Sequence, residues 1–374
     1  RSMACLTAST SKAALLATRS PFGNRRRVAS AKPVMTVPKR LVTKCVAAPR
    51  KTSQLEQLSQ WTVIVEDTGD FEKIRAHSPQ DATTNPSLVY QASQLPQYQH
   101  LVEEAIAYGK AKGKTTEDRV RHAMDKIACL FGREISKAVP GYVSTEVDAR
   151  LSFDTNASIE KAHQLLAIYE EMGVPRDRVL IKLASTWEMF EACKQLESEG
   201  VKTNMTLLFS MSQAVRAAEV KATLISPFVG RILDWYKKST GKQEYAPEED
   251  PGVLSVRSIY DYYKCHGIDT IIMGASFRNV GQIQMLAGCD RLTISPALID
   301  ELAASEEKLE RQLSPEAARE CGVPFQAMDE KTFRWMLNSD PMASEKLAEG
   351  IRGFTADIEK LEAYFAASMH VVLP

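Results

Sequence analysis

Short apolar and β-branched runs alternate with longer amphipathic stretches along most of the chain. Eight runs have the character of strands, and they cover residues 62–65, 82–84, 142–147, 179–183, 203–208, 223–229, 270–274 and 291–294. The stretches between them repeat apolar side chains at helical spacing, and they include residues 99–112, 116–138, 159–172, 189–198, 211–220, 256–266 and 280–286. This repeated order predicts a closed (β/α)₈ barrel or a doubly wound parallel sheet.

Polar side chains at the ends of the strand-like runs favour the barrel. The apolar pattern does not require them, and they are Asp67, Thr84, Asn85, Glu146, Asp148, Lys182, Asn204, Thr206, Ser226, Arg231, Ser276, Arg278 and Ser295. In a barrel the carboxyl ends of all strands open on one face, so residues far apart in sequence converge there. A doubly wound sheet would instead carry a glycine-rich first turn, and the sequence contains no GxGxxG.

The pattern becomes purely helical beyond residue 295, over residues 297–309, 329–338 and 342–364. We therefore predict an α/β protein with one folded domain over residues 56–374. This domain is a (β/α)₈ TIM barrel with extra C-terminal helices from about residue 297. The extra helices are expected to pack outside the barrel and cap its rim, and the polar stretch 237–252 is expected to be a rim loop.

Lys182 lies in the middle of an otherwise apolar run, Val179-Leu180-Ile181-Lys182-Leu183-Ala184. Burying an unpaired ammonium costs several kcal/mol or more. A lysine in such a strand is often a Schiff-base nucleophile, because an apolar environment favours the neutral amine. The alternative is a lysine at a strand end whose side chain extends to water, and this run alone leaves both interpretations open.

The converging residues suit carbonyl chemistry on a phosphorylated sugar. A lysine amine condenses with a ketone to an iminium, which then accepts electrons during carbon–carbon cleavage. Glu146 and Asp67 are candidates for proton transfer. Arg231 and Arg278 offer planar forks for a phosphate dianion.

Each of these residues also has a structural interpretation. Asp67 is compatible with an Asx-turn, and Asn85, which precedes a proline, with a helix cap. Arg231 is spaced to pair with Asp234 on the following helix. For Asp148 and Arg150 we favour a buried ion-pair layer that closes the barrel.

Charged residues are distributed unevenly along the chain of 374 residues, although its net charge is zero. Residues 1–55 hold twelve of the 47 Lys and Arg and none of the 47 Asp and Glu, which leaves 35 basic against 47 acidic side chains. An acid-free leader with Arg25, Arg26 and Arg27 predicts an organellar transit peptide. Import into the chloroplast is the first expectation, with mitochondrion or cytoplasm as alternatives. A disordered basic tail that binds nucleic acid or anionic lipid is the other interpretation.

Cysteine and histidine spacing argues against a metal site. The cysteines outside the leader have no CxxC spacing, no two of the six histidines have ligand spacing, and the thiols are expected to be reduced. No segment approaches the roughly 18 consecutive apolar residues of a membrane span. We expect neither a nucleic-acid nor a membrane partner for the mature body.

Seven motifs resemble those of the classical transaldolases, over residues 57–365. They are Asp67-Thr68-Gly69-Asp70, Asp81-Ala82-Thr83-Thr84-Asn85-Pro86, Ser144-Thr145-Glu146-Val147-Asp148-Ala149-Arg150, Ile181-Lys182-Leu183-Ala184-Ser185-Thr186-Trp187, Asn204-Met205-Thr206-Leu207-Leu208, Ile225-Ser226-Pro227-Phe228-Val229-Gly230-Arg231 and Gly274-Ala275-Ser276-Phe277-Arg278-Asn279. The segments 188–190 and 313–326 depart from the family pattern, and neither lies at the expected site.

The resemblance implies a role for each matched residue. Lys182 would be the Schiff-base lysine and Asp67 the base that deprotonates the C4 hydroxyl. Glu146 would move protons through a water held with Thr206. The remaining matched residues would bind substrate: Asn85, Asn204 and Ser226 the three-carbon unit, Arg231 and Arg278 the phosphate, with Ser276 and Phe228 also lining the site.

The resemblance also implies a reaction of the pentose phosphate pathway. A dihydroxyacetone unit would pass from sedoheptulose 7-phosphate or fructose 6-phosphate to glyceraldehyde 3-phosphate or erythrose 4-phosphate, without a cofactor, in a homodimer. Related fructose 6-phosphate aldolases carry a tyrosine where this chain has Phe228, which favours transfer over net cleavage. The alternatives are such a lyase, a metal-dependent aldolase, a non-catalytic barrel scaffold, or an isomerase that uses Glu146 as its base.

Overall fold

Eight parallel strands close into a barrel in the order in which they occur in the chain. The structure is a computed structural model, and it describes residues 52–370. The strands are β1 (Val63–Asp67), β2 (Asp81–Thr83), β3 (Val143–Glu146), β4 (Val179–Ala184), β5 (Thr203–Leu208), β6 (Leu224–Pro227), β7 (Ile271–Gly274) and β8 (Arg291–Ile294). Strand β8 pairs with β1, so the barrel has no open edge. The predicted (β/α)₈ TIM barrel is confirmed.

Helices surround the barrel and extend beyond its last strand. They are α1 (Gln54–Leu58), α2 (Phe71–His77), α3 (Pro86–Ser93), α4 (Gln99–Lys112), α5 (Thr116–Ala138), α6 (Thr155–Glu171), α7 (Trp187–Ser198), α8 (Met211–Glu219), α9 (Val229–Thr240), α10 (Pro251–Cys265), α11 (Val280–Gln284), α12 (Pro296–Ala304), α13 (Pro315–Glu320), α14 (Glu330–Asn338) and α15 (Pro341–Ser368). No helix within residues 52–370 combines the length and apolar character needed to cross a membrane.

The longest barrel helix, α5, shows how local signals fix its ends. The Thr115 hydroxyl caps its first turn by accepting from the Asp118 amide, and acidic side chains there complement the helix dipole. The helix stops at Val139, because the residue before a proline disfavours helical backbone. Its apolar face, which includes Ile127 and Phe131, is fully buried against the barrel layer.

Apolar side chains fill the barrel interior below the carboxyl ends of the strands. Val65, Leu180, Leu224 and Met273 form this layer, and none is more than 2% exposed. Because inward-facing residues alternate along a strand, Leu180 places Lys182 one layer higher, at the carboxyl end. The buried apolar layer therefore lies directly beneath the polar residues at the carboxyl ends of the strands.

Helix α15 lies across the carboxyl ends of the strands. It begins with Asp340 as N-cap and Pro341 in its first turn, which is a standard helix start. Its apolar residues Leu347, Ile351, Phe354 and Ile358 belong to one buried cluster with residues of the rim that include Phe209 and Phe228. The expected capping of the rim is thus made by this helix.

Several predicted features differ in detail from the structure. The segment expected as a loop over 237–252 is shorter, because α9 continues to Thr240 and α10 begins at Pro251. Arg150 pairs with Asp148 and with Glu362 of α15, each at 2.6 Å, but its side chain is 41% exposed. This ion-pair group lies on the rim, so the predicted buried layer is wrong. The leader prediction falls on residues that lie outside the described part of the chain, apart from 52–55.

Candidate active site

Lys182 is buried at the carboxyl end of the barrel. It lies in register with Glu146 on β3 and with Asn204 on β5, so three polar side chains form one row across adjacent strands. Its Nζ donates to the Thr84 carbonyl oxygen at 3.1 Å and lies 3.1 Å from Glu146 Oε2. The residue is only 5% exposed. The alternative in which this side chain extends to bulk water is therefore wrong.

Asp67 is the last residue of β1 and lies on the side of the barrel opposite β4 and β5. Its Oδ1 accepts a hydrogen bond from the Thr83 hydroxyl at 2.8 Å. Burial raises the pKa of Asp67, and the charge of Lys182 acts in the opposite direction. The turn that follows β1 is closed by Thr68 instead, whose hydroxyl accepts from the Asp70 amide at 3.1 Å. Asp67 is thus free of the structural role that its sequence allowed.

Glu146 and Thr206 lie beside the lysine on its two neighbouring strands. Burial raises the pKa of Glu146, while the nearby Lys182 lowers it, and the Glu146 side chain is only 4% exposed. Thr206 Oγ1 is buried and has no hydrogen-bond partner among residues 52–370. Buried hydroxyl groups are nearly always satisfied, so this atom has the capacity to bind a water or a substrate hydroxyl.

Ser226, Asn204 and Asn85 add further polar groups to this end of the barrel. Ser226 donates to Asn204 Oδ1 at 2.7 Å, and Asn204 Nδ2 donates to the Ser144 hydroxyl at 3.2 Å. Asn85 Oδ1 caps α3 by accepting from the Leu88 amide at 3.0 Å. The helix-cap interpretation of Asn85 is confirmed. The same residue also lines the central cavity described below, so a role as helix cap and a role in the site are compatible.

The two arginines differ in their partners. The Arg278 guanidinium pairs with Asp234 at 2.7 Å and also donates from Nη1 to the Ser276 hydroxyl at 3.3 Å. The alternative in which Arg231 pairs with Asp234 is wrong, because Asp234 forms its ion pair with Arg278. Burial and the neighbouring Arg278 charge lower the pKa of Arg231.

A cavity of about 210 Å³ brings most of the predicted residues together. Those that line it are Asp67, Asn85, Lys182, Ser226, Phe228, Arg231, Ser276 and Arg278. Asn204 and Thr206 lie in the buried layer of β5, and Glu146 lines an adjoining cavity of about 330 Å³ that also includes Asn85. Within residues 52–370 no three His, Cys, Asp or Glu side chains are grouped as metal ligands.

Two residues at the rim have backbone conformations that non-glycine residues rarely adopt. Leu207 has φ +52° where the register between β5 and β6 shifts, and Ser276 has φ +62° just after β7. The irregularity at Leu207 is of a kind that redirects side chains, and strained backbone as at both residues is frequent near active sites. Their positions, next to Thr206 and before Arg278, mark the same face of the barrel as the cavity.

A sequence model described as Transaldolase/Fructose-6-phosphate aldolase matches residues 64–365. The chain belongs to the transaldolase family. Transaldolase A from Pasteurella multocida is 57% identical over 312 residues, which cover 83% of this chain and 98% of that protein. Transaldolase from Rattus norvegicus and from Homo sapiens are each 55% identical over 325 residues, covering 87% of this chain and 96% of each relative. The resemblance drawn from the motifs is confirmed.

The motifs of the transaldolase family did not indicate one residue of the cavity, Phe354 of α15. Phe354 is 3% exposed, and its ring centre lies 6.0 Å from Lys182 Nζ. The helical spacing of Leu347, Ile351, Phe354 and Ile358 identifies a buried face in the sequence. That spacing gives no information on which surface the face contacts.

Gly230 provides a stability test of the transaldolase site. It lies beside Arg231, and a Cβ there would collide with the Ser276 carbonyl oxygen and approach the Arg278 side chain. We expect Gly230→Ala to separate the β6 and β7 ends and to lower the free energy of unfolding by about 1–3 kcal/mol. Denaturant unfolding measures this, with Gly353→Ala as control because a Cβ at Gly353 has open space. Equal stability of the two variants would contradict the close packing.

Proposed function

We propose that this protein is a Schiff-base transaldolase. It transfers a dihydroxyacetone unit from sedoheptulose 7-phosphate or fructose 6-phosphate to glyceraldehyde 3-phosphate or erythrose 4-phosphate. The observation that carries the mechanism is a buried lysine amine that lies 3.1 Å from a buried carboxylate and lines a cavity together with two arginines. Membership of the transaldolase family supports the phosphorylated sugar substrates.

The first step joins the lysine to the donor ketose. The neutral amine of Lys182 attacks the C2 carbonyl carbon, forming a carbon–nitrogen bond and a carbinolamine. Glu146 protonates the C2 hydroxyl, which leaves as water, and the nitrogen lone pair forms the iminium. The Thr206 hydroxyl, which has no hydrogen-bond partner in the described part of the chain, supports a water-mediated route for this proton. A carboxyl whose pKa is raised by burial is suited to donate it.

The second step breaks the bond between C3 and C4. Asp67 takes the proton from the C4 hydroxyl, the new carbonyl forms at C4, and the bonding electrons move into the iminium to give an enamine. The product aldose leaves. Asp67 lies on β1, across the barrel from Lys182 on β4, so base and nucleophile reach opposite ends of the breaking bond.

The third step returns the three-carbon unit to an acceptor. The enamine carbon attacks the acceptor aldehyde, Asp67 returns its proton to the new hydroxyl, and water hydrolyses the iminium. Asn85, Asn204 and Ser226 have the hydrogen-bonding groups to hold the three-carbon unit meanwhile. Arg231 and Arg278 line the cavity on its β6 and β7 side, and this position supports their assignment to the phosphate.

The direct test traps the covalent intermediate. The protein is incubated with fructose 6-phosphate, reduced with borohydride, digested, and the modified peptide is located by mass spectrometry. We expect one adduct, on Lys182, and none on Lys126, a second buried lysine in α5 that serves as an internal control. An adduct on another lysine, or no adduct, would overturn the mechanism.

Phe228 distinguishes transfer from net cleavage. Its ring lines the cavity and is 6% exposed, and it has no hydroxyl to protonate the enamine. We expect Phe228→Tyr to release free dihydroxyacetone from fructose 6-phosphate without an acceptor, at least about tenfold faster than the unmodified protein. A coupled assay for dihydroxyacetone measures this. Phe209→Tyr is the matched control, because Phe209 contacts Phe228 but does not line the cavity.

We further propose that the protein is a homodimer imported into the chloroplast, with import into the mitochondrion, or retention in the cytoplasm, as the alternatives. The acid-free, arginine-containing leader supports import. Sequencing the amino terminus of the protein from its native source tests removal of the leader, and an intact leader would contradict it. Sedimentation equilibrium of the purified protein tests the dimer, and a single monomeric species would contradict that proposal.

A further inference from the structure

Two aromatic rings contact the guanidinium group of Arg231, and within residues 52–370 the charges of Glu146, Glu349 and Asp67 act on it without forming an ion pair. Its Cζ lies 4.9 Å from the centre of the Phe228 ring and 5.4 Å from the centre of the Phe354 ring. Within residues 52–370 it has no ion-pair partner, whereas Arg278 pairs with Asp234 at 2.7 Å. The two arginines of one cavity are therefore positioned by different forces.

One of the two rings comes from the C-terminal helix rather than from the barrel. Phe354 lies in the apolar face of α15 and is 3% exposed. One turn earlier, Gly350 allows the helix to approach closely, because a Cβ there would contact Leu207 at 2.6 Å and lie 3.4 Å from Arg231 Nη1. The helix backbone thus passes directly beside the arginine, and the ring is fixed in place by the helix packing.

Contact with a ring face leaves the hydrogen-bond donors of a guanidinium unused. An arginine held by a carboxylate has already committed donors, and a phosphate must compete with that carboxylate. An arginine held between rings keeps its planar fork available and loses little conformational entropy when it binds. The rings also exclude water from one side of the group, which strengthens its interaction with a dianion.

We propose that Phe354 is a positioning residue that, together with Phe228, holds Arg231 ready for the substrate phosphate. The C-terminal helix thereby completes the phosphate subsite of the barrel. This inference rests on the proposed function, and it adds a determinant of phosphate affinity that lies outside the barrel strands.

The test replaces the ring and measures phosphate affinity directly. Phe354→Leu keeps an apolar, though smaller, side chain and removes the aromatic face. We expect the KM for fructose 6-phosphate and the inhibition constant of inorganic phosphate each to rise about five- to tenfold. The kcat is expected to stay within about threefold, and the KM for the unphosphorylated acceptor D-glyceraldehyde within about twofold.

Two controls separate positioning from general damage to the helix. Ile358→Val shortens another buried side chain of the same helix face and is expected to leave the phosphate inhibition constant unchanged. In an Arg231→Ala background, Phe354→Leu is expected to cause no further loss of phosphate affinity, since the ring acts through the arginine.

The inference fails if Phe354→Leu leaves the phosphate inhibition constant unchanged in an active enzyme. It also fails if Ile358→Val raises that constant equally, or if Phe354→Leu weakens phosphate in the Arg231→Ala background as much as alone. Absence of any transfer by the unmodified protein would instead contradict the proposed function. The two failures are therefore distinguishable.

Discussion

Lys182→Met is expected to abolish transfer and leave the protein folded. No other group in the cavity can form the covalent bond to the ketose, so kcat should fall by on the order of 10⁴-fold or more. Methionine has a similar length, and the residue lies in a strand that is buried throughout its length. Removing the amine takes away the main cation that lowers the pKa of Glu146 and of Asp67, so both pKa values are expected to rise further, with Arg231 as the remaining cation.

The measurements for this variant are a coupled transfer assay, a borohydride trapping experiment and a thermal unfolding curve. Lys126→Met is the matched control: this second buried lysine lies on α5 and contacts the Tyr108 ring at 4.8 Å. We expect that variant to transfer normally. Transfer by Lys182→Met at more than about a thousandth of the normal rate would refute the nucleophile assignment.

Much of the barrel could be predicted from the sequence, because its strands are buried on both faces and have sharp ends. The predicted strand 203–208 coincides with β5. The predicted strand 223–229 was too long, because the chain turns after Pro227 and the Val229 amide donates to the Ala275 carbonyl oxygen at the start of α9. A β-branched residue in a helical first turn resembles the end of a strand when only the sequence is considered.

Helix starts were predicted less well than strands. The expected helix 256–266 begins at Pro251, where Asp250 caps the first turn by accepting from the Gly252 and Val253 amides. Aspartate, proline and glycine in succession also favour a turn, and that interpretation extended the predicted loop two residues into α10. The distinction depends on whether the following residues are buried, which the tertiary structure determines.

The contacts of the candidate site were also predictable only in part: those set by strand register were, and those set by helix packing or side-chain orientation were not. Lys182, Glu146 and Asn204 are brought together by strand register alone, so an assignment of strands in a barrel was sufficient to predict their proximity. The contact of Phe354 with the Arg231 guanidinium depends on how α15 crosses the barrel end. The pairing of Asp234 with Arg278 instead of Arg231 depends on a side-chain orientation that no spacing rule specifies.

Asp67→Asn has the second largest expected effect, and it separates two chemical steps. Asparagine can still accept a hydrogen bond from the Thr83 hydroxyl, but it cannot take the C4 proton. We expect kcat to fall about 10²- to 10⁴-fold. The lysine and Glu146 remain, so the Schiff base with fructose 6-phosphate should still form and accumulate before the bond between C3 and C4 breaks.

Rapid quenching with borohydride distinguishes this variant from Glu146→Gln. In Asp67→Asn the six-carbon adduct on Lys182 should reach full occupancy while release of glyceraldehyde 3-phosphate is slow. In Glu146→Gln the adduct itself should form slowly, because the leaving C2 hydroxyl loses its proton donor. Asp70→Asn is the control, since an asparagine at this position can still cap α2 and Asp70 lies outside the cavity. A three-carbon adduct that accumulates at the normal rate in Asp67→Asn would show that another group removes the C4 proton.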